Sequence, residues 1–224
     1  MKTTRTRAVV LRRTNYGEAD RVVQLLTPLG RMSVIAKGVR REKSRLAGGI
    51  ELFAVSDVVI GRGKGDLGIL TSARLVQFYR HILEDYDRMQ FAYEILKQIT
   101  VASETLDEPE WYDIATEVLM GLDSQTVSLP LVQTWFYLHF SAMLGYELNL
   151  QRDVEGTQLL ADAKYRYDVS EKGLVPVSSG ELTADHIKLL RLIAAKPLSA
   201  LAQIGGLSEV LPACLGTSRA HASI

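Results

Sequence analysis

The sequence predicts an α+β protein, with an N-terminal five-stranded β-barrel of the OB type followed by an α-helical domain that carries a small β-hairpin. Two observations point there. The apolar period is close to two from Thr3 to Phe78 and becomes helical after Arg80, and the charge changes sign at the same place. Residues 1–80 hold 16 of the 26 Lys and Arg but 6 of the 26 Asp and Glu, a net +10, and the remainder of the neutral chain carries the balancing −10. The expected domains are therefore 1–80, a nucleic-acid-binding barrel, and 81–224, mainly helical.

Five runs rich in Val, Ile and Leu read as strands: Arg5 to Arg13, Arg21 to Thr27, Arg31 to Lys37, Ile50 to Ile60 and Leu67 to Phe78. In the third, Met32, Val34 and Ala36 fall on one face and Arg31, Ser33 and Lys37 on the other, the pattern of a half-buried sheet. The connections carry turn residues: Asn15-Tyr16-Gly17, Pro28-Leu29-Gly30, Gly48-Gly49 and Gly61 through Gly68. The longest insertion falls between the third and fourth strands, as in an OB barrel; a five-stranded SH3-like barrel is the competing architecture.

After Arg80, Asp85 and Asp87 precede a helix that places Phe91, Ile95 and Ile99 on one face. Pro109, with Glu108 and Glu110 at the positive helix end, opens a second helix along Trp111, Ile114, Val118 and Leu122. Ser128 is positioned to cap a third, apolar on most sides, that Gly145 stops after Leu144. A hairpin is expected at about 163–177, Thr183 caps a helix through Ala195, and Pro197 opens another to about Ile204. Leu207 to Ile224 contains Pro212, small residues and little periodicity, so a frayed tail is expected after about Leu215.

The composition also excludes classes. The single Cys214 rules out an intramolecular disulfide and a zinc site built on cysteine pairs. The four histidines are scattered without metal-ligand spacing, and His139 reads as a hydrogen-bonded core or boundary residue. No run approaches the ~20 apolar residues that span a bilayer, and no secretory leader is visible, so a cytoplasmic, nucleoid-associated protein without membrane partners is expected. Gly63 to Gly68 matches G-x-G-x-x-G, but the next residues, Ile69 to Phe78, read as a strand and not as the helix a dinucleotide site requires, which makes it a glycine-rich hairpin. Glu104, Asp107, Glu108, Glu110, Asp113 and Glu117 read as a solvated face around a helix start. No catalytic constellation is recognisable, and neither an enzyme, a cofactor nor a metal is expected.

What remains is cationic. Lys37, Arg40, Arg41, Lys43 and Arg45 place five cations in nine positions ahead of Gly48-Gly49. Arg supplies forked donors and Lys a mobile point charge, which suits a phosphate backbone. Arg12, Arg13, Arg31, Arg62 and Lys64 fall on the same expected barrel and complete the candidate nucleic-acid-binding set. Residues 1–80 offer few aromatics for base stacking, so backbone electrostatics should dominate, with weak sequence preference and tolerance of single and double strands. An adaptor whose barrel docks an acidic protein tail, and an RNA-binding barrel, are the alternatives.

Three ordered blocks then resemble one family: Ala8-Val-Val-Leu-Arg-Arg-Thr-Asn-Tyr-Gly-Glu-Ala-Asp-Arg21, Leu26-Thr-Pro-Leu-Gly-Arg31, and Ala36-Lys-Gly-Val-Arg-Arg-Glu-Lys-Ser-Arg-Leu-Ala-Gly-Gly-Ile-Glu-Leu-Phe53. Together they closely resemble the bacterial recombination mediator family RecO. The likeness is strongest over residues 5–80; the helical remainder, with Leu144-Gly-Tyr146, agrees in layout more than in residues. The resemblance implies an OB-fold joined to a helical domain, binding of single- and double-stranded DNA, and annealing of complementary strands. It further implies contact with single-stranded-DNA-binding protein, placed in the helical domain, and work with RecR to load RecA. Many members carry paired cysteines after the Gly-Tyr position, forming a zinc module. Asn149 to Ser179 has none, so no zinc is expected and ordinary packing should hold the hairpin. The last family helix looks shortened or replaced by Leu207 to Ile224.

Overall fold

Alternating side chains in the first eighty residues form five strands: β1 (Thr3–Tyr16), β2 (Asp20–Thr27), β3 (Gly30–Ala36), β4 (Ala54–Lys64) and β5 (Leu67–Phe78). They close into a barrel in the order β1-β2-β3-β5-β4, the OB-fold expected from the sequence. The computed structural model describes residues 3–223, except for the side chain of Lys64. Ala8, Val10, Val23, Leu25, Val34, Ala36, Val58, Ile60 and Leu70 fill the interior. Closure needs a close approach at Gly68, where an added Cβ would lie 2.6 Å from the Ile60 side chain and 3.3 Å from that of Val34.

Strict alternation along β1 would send Arg12 into the barrel with Ala8 and Val10. A register shift between Val10 and Arg12 prevents this, pairing Arg12 with Gln24 and Arg13 with Val23. The extra residue, Leu11, reverses the side taken by every later residue of the strand. Arg12 therefore faces outward, and Arg13 lies on the inner side of the strand near the barrel rim.

β4 begins at Ala54 and not at Ile50, because Ala47–Gly49 forms a 3-10 turn and Phe53 adopts a positive φ of 58° before the strand starts. Gly63 to Gly68 is the β4–β5 hairpin, with Gly65 at φ 64°. Helices α1 (Tyr86–Thr105) and α2 (Glu110–Asp123) pack on the barrel. Asp85 caps α1 by accepting the Arg88 N–H, and the Arg88 guanidinium donates to the carbonyls at the end of α2, Gly121 (3.4 Å) and Leu122 (2.8 Å). Barrel and helix pair make up one compact unit, Met1–Asp123.

Ser124–Ile224 is a second unit. Its centre is α3 (Leu129–Met143), which buries Leu131, Val132, Trp135, Phe136, Tyr137, Leu138 and Phe140. Ser128 stands at the N-cap position but caps with its carbonyl alone; its side chain makes no capping bond. Gly145, at φ 82°, ends the helix. The hairpin is β6 (Tyr165–Asp168) with β7 (Gly173–Pro176), tied to Leu182 by paired backbone bonds with Tyr165 of 2.8 and 2.9 Å. Helix α4 (Ala184–Ala195) opens with a capping box between Thr183 and His186, and α5 covers only Leu198–Leu201, shorter than the run to Ile204 that Pro197 suggested.

The expected frayed tail is instead helix α6 (Leu211–Ala222), packed along α3 and α4. Its buried side is Leu211, Cys214, Thr217, Ser218 and His221. Small, weakly apolar side chains let this helix approach the bulky aromatics of α3, and such a face leaves almost no hydropathy signal. Pro212 sits in the first turn, where its missing N–H costs nothing.

Candidate nucleic-acid interface

The run from Lys37 to Arg45 divides by chemistry. Lys37, Arg40, Arg41, Lys43 and Arg45 are all exposed, whereas Val39 is buried and Leu46, Ala47 and Leu52 pack against the barrel core. Apolar residues thus hold the loop down while its cations face solvent. The N-terminal end is pinned to the β1–β2 turn: Gly38 N–H donates to Asp20 at 2.7 Å, Arg40 N–H to the Ala19 carbonyl at 2.9 Å, and the Arg40 guanidinium to the Gly17 carbonyl at 3.3 Å. The C-terminal end is pinned by Gly49, where an added Cβ would meet the Ala73 carbonyl at 2.4 Å, and by Arg13, which reaches the Ile50 carbonyl at 3.2 Å and Glu51 at 2.9 Å. The result is a cationic lip on a fixed base. Ordering a long basic loop in advance lowers the entropy lost when it binds.

Arg12 joins this lip from the adjacent β1–β2 ribbon. Beside the lip, and not part of it, are two residues that sequence reasoning missed as functional: Asn15 and Arg21 are register partners, and Arg21 Nε donates to Asn15 Oδ1 at 3.1 Å. The signal was present, because the tight turn at Gly17 dictates that these positions oppose each other. With Leu11, Arg12, Arg13, Thr14 and Leu52 they line a groove of about 510 Å³.

The remaining candidates lie elsewhere on the barrel. Arg31 pairs with Glu104 of α1 at 3.3 Å, and its backbone N–H donates to Asp107 at 2.7 Å. Arg62 is exposed beside Gly61, whose partner is Thr3, so it sits at the opposite end of the 14-residue β1 from the lip. Lys64 ends β4, and its side chain lies outside the described residues. Arg7 and Arg74 flank Asp57 on the β1-β4-β5 face, at 3.7 and 3.3 Å.

Elsewhere, His139 accepts a structural role: Nδ1 lies 2.8 Å from the Trp135 carbonyl and its ring stacks on that indole at 3.7 Å. Burial pushes the Cys214 thiol up to about 12, far from a reactive thiolate. Among the described residues no three His, Cys, Asp or Glu side chains converge as metal ligands. No helix among them is long and apolar enough to cross a membrane.

Comparison with known proteins adds what geometry alone does not specify. Residues 1–79 match the family described as Recombination protein O N terminal, and residues 83–221 match Recombination protein O C terminal. The chain belongs to the RecO family.

The RecO match runs through the C-terminal helix α6 as far as His221, so this element is part of the family pattern and not a replacement for it. Relatives named DNA repair protein RecO include one from Roseiflexus sp., 30% identical over 217 residues that cover 93% of this chain and 75% of the relative. One from Dehalococcoides mccartyi is 33% identical over 164 residues, 72% of this chain and 64% of the relative. One from Rubrobacter xylanophilus is 28% identical over 216 residues, 92% and 87% of the two chains.

Proposed function

We propose that this chain is a non-enzymatic DNA repair and recombination mediator whose basic barrel lip binds the backbone of single- and double-stranded DNA. The observation that carries the reading is the exposure of all five cations between Lys37 and Arg45 on a loop whose backbone is pinned at both ends. By screening phosphate repulsion, such a lip brings complementary strands together, and base pairing then drives annealing without nucleotide hydrolysis. Family membership supports the wider role: with RecR, the protein helps load RecA onto gaps covered by single-stranded-DNA-binding protein. Arg41, Lys43 and Arg45 are assigned phosphate contacts first, then Lys37, Arg40 and Arg12. Arg13 anchors the lip.

The test is the triple variant Arg40→Glu, Arg41→Glu, Lys43→Glu, read by fluorescence anisotropy on labelled oligonucleotides and by a strand-annealing assay. Binding and annealing should both collapse while the melting temperature stays close to that of the parent. If about five phosphates are contacted, single-strand affinity should fall roughly a hundredfold between 50 and 200 mM salt. Unchanged affinity in the folded variant, or binding that ignores salt, would remove the lip from the mechanism.

A further inference from the structure

Phosphate contacts on an open lip do not distinguish one strand from two, yet beside the lip lies a groove with a different composition. Its walls are Leu11, Arg12, Arg13, Thr14, Asn15, Arg21 and Leu52, and its volume of about 510 Å³ is that of a small-ligand site and too small for a duplex. We propose that this groove holds one unstacked nucleotide of single-stranded DNA and makes the rim of the barrel selective for single strands. The inference rests on the DNA-binding reading above and deepens it.

Three features converge. Arg21, half-buried and held in place by Asn15, and the exposed Arg12 supply guanidinium groups free of any carboxylate among the described residues, whereas the third arginine, Arg13, is already neutralised by Glu51. Guanidinium N–H groups that no carboxylate neutralises, gathered at one mouth, are suited to a phosphate. Leu52, partly exposed, supplies apolar surface for a base, with Thr14 and Asn15 as hydrogen-bonding groups beside it. Finally, the edge of β1 here is open. β1 pairs with β4 only as far as Val9 and with β2 from Val9 to Tyr16, so beyond Val9 no described strand pairs with its second edge. Backbone groups along that edge can therefore hydrogen-bond a nucleotide without dismantling the sheet.

A base can enter only when it is unpaired, because in a duplex its hydrogen-bonding edge is turned to its partner and its faces are stacked. The lip then accounts for affinity common to both forms of DNA, and the groove for the difference between them.

The experiment uses the full chain and three fluorescent probes of equal length: an oligothymidylate, the same strand with evenly spaced abasic sites, and a duplex. The parent should bind the intact single strand more tightly than either of the others. Arg21→Ala should weaken the intact single strand about tenfold, leave the duplex within about twofold, and erase the abasic penalty. Arg21→Lys should restore part of the loss, and Leu52→Ala should erase the abasic penalty alone; thermal melting checks that each variant is folded. Arg21→Ala that lowers single strand and duplex equally makes the groove an ordinary part of the basic surface, and a parent indifferent to abasic sites overturns the inference while leaving the lip intact. Failure of the parent to bind any probe overturns the DNA-binding reading and this one with it.

Discussion

Arg31 and Asp107 meet across the space between the β2–β3 turn and the loop that joins α1 to α2, the Arg31 N–H donating to the carboxylate at 2.7 Å. Gly30 makes the contact possible. Its φ of 97° favours glycine, and an added Cβ would lie 3.1 Å from Asp107 Oδ1. The Arg31 guanidinium is at the same time neutralised by Glu104 at 3.3 Å.

Arg31 is thereby a fastener between barrel and helix pair more than a free cation. Arg31→Ala should lower DNA affinity less than Arg41→Ala, by a factor of about three or more in the difference, and should lower stability more. Gly30→Ala should cost about 1–3 kcal/mol through backbone strain and the displaced carboxylate, measured by urea unfolding. A Gly30→Ala protein as stable as the parent would show that the Asp107 contact is dispensable.

Much of this was legible in residues, and the losses have identifiable causes. Period two in β1 to β5 reflects a barrel with one wet face, and the G-x-G-x-x-G match resolved itself because its glycines lead into a strand, Leu67–Phe78. The bulge at Leu11 was not legible, since a single extra residue changes no composition while exchanging the sides of Arg12 and Arg13. Helix α6 was missed because Cys214, Thr217 and Ser218 bury a face that hydropathy scores as neutral. The basic run was conspicuous, but its anchoring through Asp20, Ala19 and Ala73 depends on partners distant in sequence.

Asp20 offers a test in which charge and geometry pull in opposite directions. Removing a carboxylate beside a cationic loop should, by Coulomb's law alone, strengthen DNA binding. Yet Asp20 accepts the Gly38 N–H at 2.7 Å, where Gly38 has a φ of 63°, and this bond sets the course of the lip. Asp20→Ala should therefore weaken binding severalfold, and Asp20→Asn, which keeps an accepting oxygen, should bind at least as well as the parent. Anisotropy titrations at one salt concentration decide it, and tighter binding by Asp20→Ala would assign the residue a purely electrostatic role.

His221 makes the second unit sensitive to acid. Its Nε2 donates to the Tyr146 carbonyl at 2.5 Å, so Nδ1 is the unprotonated nitrogen and accepts from the Tyr167 hydroxyl at 3.0 Å. Burial pushes its pKa below the ordinary 6.5, the Tyr146 carbonyl opposes that shift, and nearby Lys172 reinforces it. The unfolded chain thus takes up the proton first. The stability contributed by neutral His221 is complete above about pH 6.5 and is lost as pH falls through the lower folded value. Thermal melts from pH 7.5 to 5.0 should show a falling midpoint, and His221→Gln should be less stable at pH 7.5 but flatter over this range. Parallel curves for the two proteins would exclude His221 as the source.

Cys214 can report on the docking of α6 directly. It is fully buried, its Sγ lies 3.6 Å from the His186 carbonyl, and its thiol is pushed up to about 12. At pH 8 an exposed thiol would be substantially ionised and react within minutes, but this one should react only when α6 lifts from α3 and α4. Alkylation by iodoacetamide should therefore be slow in the native protein and become rapid in parallel with unfolding as urea is added. Ser218→Leu, which forces a large side chain into a site of 0% exposure, should loosen the helix and speed labelling well below the unfolding midpoint. Rapid labelling of the unmodified native chain would mean that α6 spends much of its time undocked, and the small-residue face would then be too weak an anchor for the role assigned to it.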